Sequence, residues 1–150
     1  MRPSCPKRIG DRRSSRETRI KDPRGLHTHT RQGKPVYSHA VVTDRPKLVF
    51  ISGQLSKDEH GNVVGKGDIR AQIRQVGVNL KLALAAAGAT LDDVVKSNTY
   101  VTDYELYVQN ADLRDEILGA TLPTSTTVEV KRLSHPDLMI EIDAIASLPG

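Results

Sequence analysis

The chain has 150 residues, of which 37% are hydrophobic, and a formal net charge of +4. Its length predicts one domain with an ordinary core, and no stretch approaches the length of a membrane span, which argues against a membrane partner. The charge is uneven, because residues 1–34 carry 11 Lys and Arg against 3 Asp and Glu, whereas residues 35–150 carry 11 against 15. An acidic body argues against nucleic-acid binding, which requires a positive face on the folded surface.

The N-terminal segment differs in composition from the rest of the chain. It contains the single cysteine, Cys5, which permits no intramolecular disulfide and favours a reducing, cytoplasmic location. The segment lacks the apolar run of a secretory signal. Its Arg and Ser content resembles an organelle transit peptide, but its three acidic residues argue against that assignment. We interpret residues 1–26 as a disordered basic extension and residues 27–150 as the folded domain.

The first predicted elements are two strands, 35–42 and 47–53, which a short turn would join into a hairpin. A charged, glycine-containing loop follows over 54–67. From Asp68, a good N-cap, apolar residues recur at helical spacing until Gly88. This pattern predicts a long amphipathic helix.

The second half repeats the alternation of strand and helix. A β-branched run predicts a strand over 94–101, and helical spacing predicts a second helix over 104–118. Two alternating runs, 125–131 and 138–146, are predicted as the last strands. The resulting order, β-β-α-β-α-β-β, predicts an α+β fold in which two helices cover one face of a single sheet.

The last strand carries acids beside apolar residues. Successive side chains of a strand alternate between faces, so Glu141 and Asp143 share one face with Met139 and Ile145. Neither a solvent-facing surface nor a core face is typically composed in this way. The pattern alone does not say which side of the sheet this face lies on, but we expect another subunit to cover it.

The sequence holds few other signs of chemistry. The five histidines form no metal-binding pattern; His27 and His29 are two apart, but no third ligand is near. No phosphate-binding loop and no serine-nucleophile motif is present. Glu141 remains: a partly buried carboxylate can exchange protons with a bound water or substrate. The alternative is that Glu141 and Asp143 form interface ion pairs, for example with basic residues at 131 and 132.

Five blocks of the sequence, in order, resemble one known family. They are PVYSHAVV, VFISGQL, the block from GDIRAQ to NTYVTD, PTSTTVEVKRL and IEIDAIA. Over residues 27–148 the chain is similar to the RidA/YjgF family of reactive-intermediate (enamine/imine) deaminases. The resemblance implies a chorismate-mutase-like fold, a homotrimer with active sites in the clefts between subunits, and no cofactor.

The resemblance also implies site residues. Glu141 matches the glutamate that positions or activates the attacking water, Tyr37 matches a tyrosine of the cleft wall, and Gly53 matches the glycine of the S-G-Q turn. Asn110 lies one residue from the position of an asparagine that helps to hold the substrate. Ser125 occupies the position of the arginine that grips the substrate carboxylate in family members with deaminase activity.

This replacement changes the expected substrate. A serine supplies no bidentate cationic group. We therefore expect that Ser125 and Thr127 hydrogen-bond a less charged group, and that the substrate is not a simple 2-iminoacid. Two functions remain open: a hydrolase that releases ammonia from a small imine or enamine, and a non-catalytic trimer that binds a metabolite or a partner protein. A third, RNA cleavage, is attached to some relatives, but the acidic body argues against it.

Overall fold

The computed structural model describes residues 17–150 as a mixed α+β fold. Its strands are β1 (Glu17–Ile20), β2 (Thr30–Arg31), β3 (Lys34–Pro35), β4 (Ala40–Thr43), β5 (Lys47–Leu55), β6 (Val94–Val101), β7 (Thr124–Glu129) and β8 (Ile140–Leu148). Its helices are α1 (Ile69–Ala86), α2 (Tyr104–Gln109) and α3 (Asp112–Leu118), and a 3-10 turn, Leu91–Asp93, precedes β6.

The main sheet has four strands in the order β5-β8-β6-β7. The last strand, β8, lies inside the sheet and runs antiparallel to both β5 and β6, whereas β7 runs parallel to β6. The sheet therefore contains four of the five predicted strands, since 35–42 is not part of it, and its order places the C-terminal strand between strands that are far away in sequence.

The core lies between one face of this sheet and the helices. From β8, Ile140, Ile142, Ala144 and Ala146 are buried in one cluster with residues of α1 and α3. The expectation of helices on one face is confirmed, and the acidic face of β8 is thereby assigned to the opposite, open side of the sheet.

Helix α1 begins and ends where its sequence predicts. The Asp68 carboxylate accepts a hydrogen bond from the Ala71 amide at 3.0 Å, which satisfies a donor that the first turn leaves free. At the other end, Gly88 has φ +74° and donates its amide to Ala85 O at 3.0 Å. Glycine adopts this left-handed conformation at little cost, so the helix stops there.

The predicted second helix is two helices. It breaks at Asn110 and Ala111, between α2 and α3. The Asn110 amide group donates to Leu106 O at 2.8 Å, and its backbone N–H bonds Tyr107 O at 3.0 Å. These bonds end α2, and α3 begins two residues later, at Asp112. The apolar periodicity of 104–118 does not reveal this break.

The predicted N-terminal hairpin is wrong. β4 pairs antiparallel with β1, and β5 pairs with β8. Arg45 lies between β4 and β5, and its Nη1 donates to Asp93 Oδ1 at 2.9 Å and to Ser147 O at 3.0 Å. These bonds hold the connection between the two strands in a conformation other than a hairpin turn. A two-stranded β2–β3 pair occupies the start of the predicted first strand.

The predicted disordered extension, 1–26, differs in part from the structure. Strand β1 lies within it and pairs with β4 in register from Glu17↔Thr43 to Ile20↔Ala40. The pairing of β4 with β1 joins segments that are distant in sequence, and the basic composition of the N-terminal segment does not indicate a strand there. Residues 1–16 lie outside the described residues.

Candidate active site

Glu141 lies on the open face of the sheet, opposite a bulge in the neighbouring strand. The β5–β8 register shifts between Ile51 and Gln54, and Gly53 lies in this irregularity. A Cβ atom built on Gly53 would lie 2.7 Å from Cδ and 2.9 Å from Cγ of Glu141, with Oε1 nearer still. The carboxylate therefore rests directly against the Gly53 backbone, and only glycine leaves space for it. The structure brings together two of the residues that the sequence analysis selected.

The environment of Glu141 favours its protonated form. Burial, and after it the charge of Asp143 two residues along the strand, raise the pKa of Glu141 above its ordinary value. Asp143 is itself satisfied, because it accepts hydrogen bonds from Asn98 Nδ2 at 2.8 Å and from the Tyr100 hydroxyl at 2.9 Å. The hydrogen bond to Asp143, together with burial, raises the pKa of Tyr100.

Glu141 has no such partner. Among residues 17–150, its carboxylate accepts no hydrogen bond and forms no ion pair. Within the described part of one chain neither acid pairs with Lys131 or Arg132, and the alternative of ion pairs between subunits stays a prediction. A carboxylate with a raised pKa and free oxygens can accept a proton from water and return it, which is the task of a general acid and base.

A cavity of about 400 Å³ opens on the other side of the sheet. Its walls combine aromatic rings, hydroxyl groups and guanidinium groups, among them those of Tyr37, Tyr107, Ser125, Thr127, Arg31 and Arg114. Ser125 and Thr127 point into it from β7, at register positions beside Ser97 and Thr99 of β6. The cavity therefore contains three of the predicted substrate-binding residues.

The position of Tyr37 follows from the connection before β4. Ser38, which is buried, donates from Oγ to Leu122 O at 2.6 Å and from its amide to Pro123 O at 3.2 Å. These bonds tie the segment to the chain that enters β7, and so they hold Tyr37 beside Ser125.

The two groups of predicted site residues face opposite sides of the sheet. Glu141 pairs with Tyr100 in β6, and Tyr100 pairs with Val128 in β7, so these three share the open face. Ser125 and Thr127 occupy the alternate positions, on the helix side. One chain therefore does not bring Glu141 to the cavity that contains Ser125.

The side chain of Asn110 forms hydrogen bonds outside the cavity. Its Oδ1 accepts from Arg70 Nη1 at 3.1 Å, and its Nδ2 donates to Leu106 O. The structure uses both ends of this amide at the junction between α2 and α3, and it places Ala111 rather than Asn110 in the cavity wall.

Both arginines of the described cavity wall were missed in the sequence. Arg114 is 5% exposed and continues a buried series at helical spacing, Tyr107, Ala111, Arg114 and Leu118. Arginine is almost never fully buried unless it is paired, so an arginine at a position that the helical periodicity assigns to the core was a signal of a paired or functional side chain. Arg31 gave no signal, because the short β2–β3 pair that presents it has no recognisable pattern.

Two kinds of feature are absent from residues 17–150. No three His, Cys, Asp or Glu side chains in this range lie close enough together to hold a metal ion. No helix in it is long and apolar enough to span a membrane.

The family model described as "Endoribonuclease L-PSP" matches residues 31–148. The chain belongs to this family. The RidA/YjgF resemblance is thereby confirmed. The family match begins in β2 and ends in β8, so it includes the bulge, Glu141 and the described cavity wall except His29.

Individual relatives agree with this assignment. A RutC family protein of Pyrococcus horikoshii is 37% identical over 113 residues, which are 75% of this chain and 89% of the relative. The Rid-family protein YyfB of Yersinia pestis is 34% identical, and its structure aligns with a TM-score of 0.73 over 87% of this chain and 98% of that chain. RidA of the Antarctic bacterium Psychrobacter sp. is 31% identical, with a TM-score of 0.61 over 71% and 88%.

Proposed function

We propose that this protein is a RidA-like hydrolase that adds water to the C=N bond of a small imine or enamine and releases ammonia. The observation that carries the proposal is the Glu141 carboxylate, which lies against the Gly53 backbone with a raised pKa and without a partner among residues 17–150. No cofactor is required for this chemistry, and we place it in the reducing cytoplasm.

The reaction requires one group that moves a proton. The oxygen of water bonds to the imine carbon while Glu141 takes a proton from that water. Glu141 delivers this proton to the nitrogen, which gives a carbinolamine. It then transfers the remaining hydroxyl proton to the nitrogen as the C–N bond breaks, so that a carbonyl compound and ammonia leave. Positioning and a single acid–base group suffice, because water addition to an imine is intrinsically easy.

We further propose that the working unit is a homotrimer of chorismate-mutase-like domains. Glu141 and the Ser125 cavity face opposite sides of one sheet, so a site that uses both requires two subunits. The Glu141 side of the sheet is also unusually apolar for a free surface, with Phe50 72% exposed and Leu48 54% exposed. Burial of these side chains between subunits would stabilise the assembly. The molar mass from light scattering should be three times that of the monomer.

The substrate follows from the groups in the cavity. Ser125 and Thr127 offer hydroxyl groups where a cation would grip the carboxylate of a simple 2-iminoacid. We therefore propose that these two residues hydrogen-bond an uncharged part of the substrate and that simple 2-iminoacids are not the preferred substrates.

The test is ammonia release from imines that an amino-acid oxidase generates in the same vessel, with catalase present. Wild type should accelerate release from a subset of the imines, and Glu141→Gln should not. Ser125→Arg should shift the preference towards small 2-iminoacids. If wild type leaves every rate unchanged while Ser125→Arg gains activity, the natural substrate is not an imine of this kind.

A second function is favoured by Ser125 itself. A chain that has lost a cationic substrate contact could serve as a non-catalytic trimer that holds a metabolite or a partner protein. Glu141→Gln separates the two functions, because it should abolish hydrolysis but leave ligand binding largely intact.

The word endoribonuclease in the family description suggests a third activity. The acidic balance of residues 35–150, 11 basic against 15 acidic side chains, argues against RNA as a substrate. An RNA-cleaving activity of this protein would have to fall steeply with salt concentration.

A further inference from the structure

We infer that the cavity beside Ser125 is a carboxylate-binding site in which Arg31 and Arg114 supply the cationic groups. This inference rests on the proposed function, since it names the class of substrate, but it concerns binding and is tested without turnover. The ligand would be a small carboxylate with an apolar body, whose charged end lies towards α3 and whose uncharged part lies towards β7.

The first observation is the depth at which Arg114 lies. Its side chain is 6% exposed, and Nη1 donates to Val36 O at 2.8 Å and lies 3.6 Å from Asp115 Oδ1. A buried guanidinium costs free energy unless its N–H groups are satisfied. Only Nη1 is used among residues 17–150, so the Nε and Nη2 groups of Arg114 are left for another acceptor.

The second observation is that Arg31 shows the same arrangement. Its Nη1 donates to Ala111 O at 3.0 Å and forms an ion pair with Asp115, and its other nitrogens have no partner within residues 17–150. The edge formed by Nε and Nη2 is one that binds a carboxylate with two parallel hydrogen bonds.

These free N–H groups are not sealed inside the protein. Among residues 17–150, the side-chain atoms that are both sealed from solvent and unbonded are Arg19 Nη1, Arg45 Nε, Thr99 Oγ1 and Asp115 Oδ1. No nitrogen of Arg31 or Arg114 is in this set, and both residues line the cavity. Their unused N–H groups are therefore open to a ligand.

The charge balance favours an anion. Asp115 is the one carboxylate in the described cavity wall, against the two arginines. The other acids of α3, Asp112 and Glu116, do not line the cavity, and Asp112 is paired outside it with Arg70 at 2.9 Å. The cavity thus keeps an excess positive charge.

The remaining walls define the body of the ligand. Tyr37, Tyr104, Tyr107 and Val108 give apolar and aromatic surface, and the hydroxyl groups of Ser125 and Thr127 lie at the β7 end. The volume of about 400 Å³ accommodates a branched or aromatic carboxylate. Because the cations come from α3 and the β2–β3 pair, the charged end of the ligand is displaced from the position of Ser125.

The test measures binding of acetate, isobutyrate and benzoate by calorimetry, each against its neutral amide. The variants are Arg31→Gln, which changes a partly exposed side chain, and Arg114→Lys, which keeps the charge but removes the bidentate edge. Arg70→Gln is the matched control, because Arg70 contacts the same helix from outside the cavity. Circular dichroism melting reports whether each variant folds.

At least one carboxylate should bind wild type more tightly than its amide. Arg31→Gln and Arg114→Lys should each weaken that carboxylate by roughly 10- to 100-fold, the cost of a lost charge-assisted contact. The affinity for the amide should change little, and Arg70→Gln should behave as wild type.

The inference is overturned if no carboxylate binds at millimolar concentration, if acids and amides bind equally, or if a folded Arg31→Gln variant keeps full affinity. Its failure is distinct from failure of the proposed function. Selective carboxylate binding without ammonia release would support the site and contradict the hydrolase, and ammonia release without carboxylate selectivity would do the reverse.

Discussion

Replacement of Gly53 by alanine should misplace the Glu141 carboxylate without unfolding the protein. The new Cβ would lie 2.7 Å from Glu141 Cδ, whereas ordinary contact begins at 3.4 Å. The carboxyl carbon must therefore move by about 0.7 Å, and Oε1, which would lie nearer to the new Cβ, must move by more than about 1 Å. The atoms that must move belong to the end of a flexible side chain, so the free energy of unfolding should change by less than about 1 kcal/mol.

A misplacement of this size in a catalytic group costs about 100-fold in rate, or about 2.7 kcal/mol of transition-state stabilisation. The assay is kcat/KM for ammonia release from an oxidase-generated imine that wild type accepts. Ser52→Ala is the matched control, because its side chain is exposed in the same bulge and faces no such contact.

The effects of Gly53→Ala and Glu141→Gln on activity should not add. If Gly53→Ala acts only through Glu141, it should have no further effect on a protein that already carries Glu141→Gln. Full activity of a folded Gly53→Ala variant would refute the proposed geometry. A full additional loss in the double variant would show that Gly53 acts on something other than Glu141.

Three further predictions concern stability and are measured by urea unfolding. The raised pKa of Glu141 means that the folded state holds this proton more tightly, so wild type loses stability as pH rises from the ordinary 4.5 through the folded pKa. Glu141→Gln should therefore gain stability relative to wild type between acidic and neutral pH, and a difference independent of pH would contradict the assigned cause. Gln72→Leu should cost about 3 kcal/mol, because the buried amide group bonds two carbonyl groups and the Met139 amide, which would lose their partner; an unchanged midpoint would show that water or rearrangement replaces these bonds. Asp68→Ala should cost about 1 kcal/mol and Asp68→Asn much less, because asparagine also caps Ala71; equal losses would argue against the cap.

Elements that depend on neighbouring residues could be predicted from the sequence. Helix α1 was predicted from its N-cap, its periodicity and Gly88, and β6 from its β-branched composition, and the structure confirms these elements. Each of these signals acts within a few residues of the feature that it predicts. The break at Asn110 was not predicted, because an asparagine inside an apolar periodicity reads equally well as a surface position.

Pairings between distant segments could not be predicted. The hairpin expected for β4 and β5 was wrong because the true partner of β4 comes from a basic segment whose composition suggests disorder. Sequence spacing cannot choose among partners when several short strands have similar patterns.

In the candidate site, too, single residues could be selected from the sequence, but the contacts between distant residues could not. Glu141 was selected because an acid on an apolar strand is unusual, and Gly53 through the resemblance to a family. The contact between them depends on a bulge and on strand order, which only the fold supplies. Arg31 and Arg114 are 83 positions apart and meet through the packing of α3 on the segment before β4.

The most direct test of the central claim compares the initial rate of ammonia release with wild type and with Glu141→Gln, at equal concentrations of folded protein. Our account predicts that wild type accelerates the release and that Glu141→Gln reduces it to the uncatalysed rate. A Glu141→Gln variant that accelerates ammonia release as well as wild type would contradict the account.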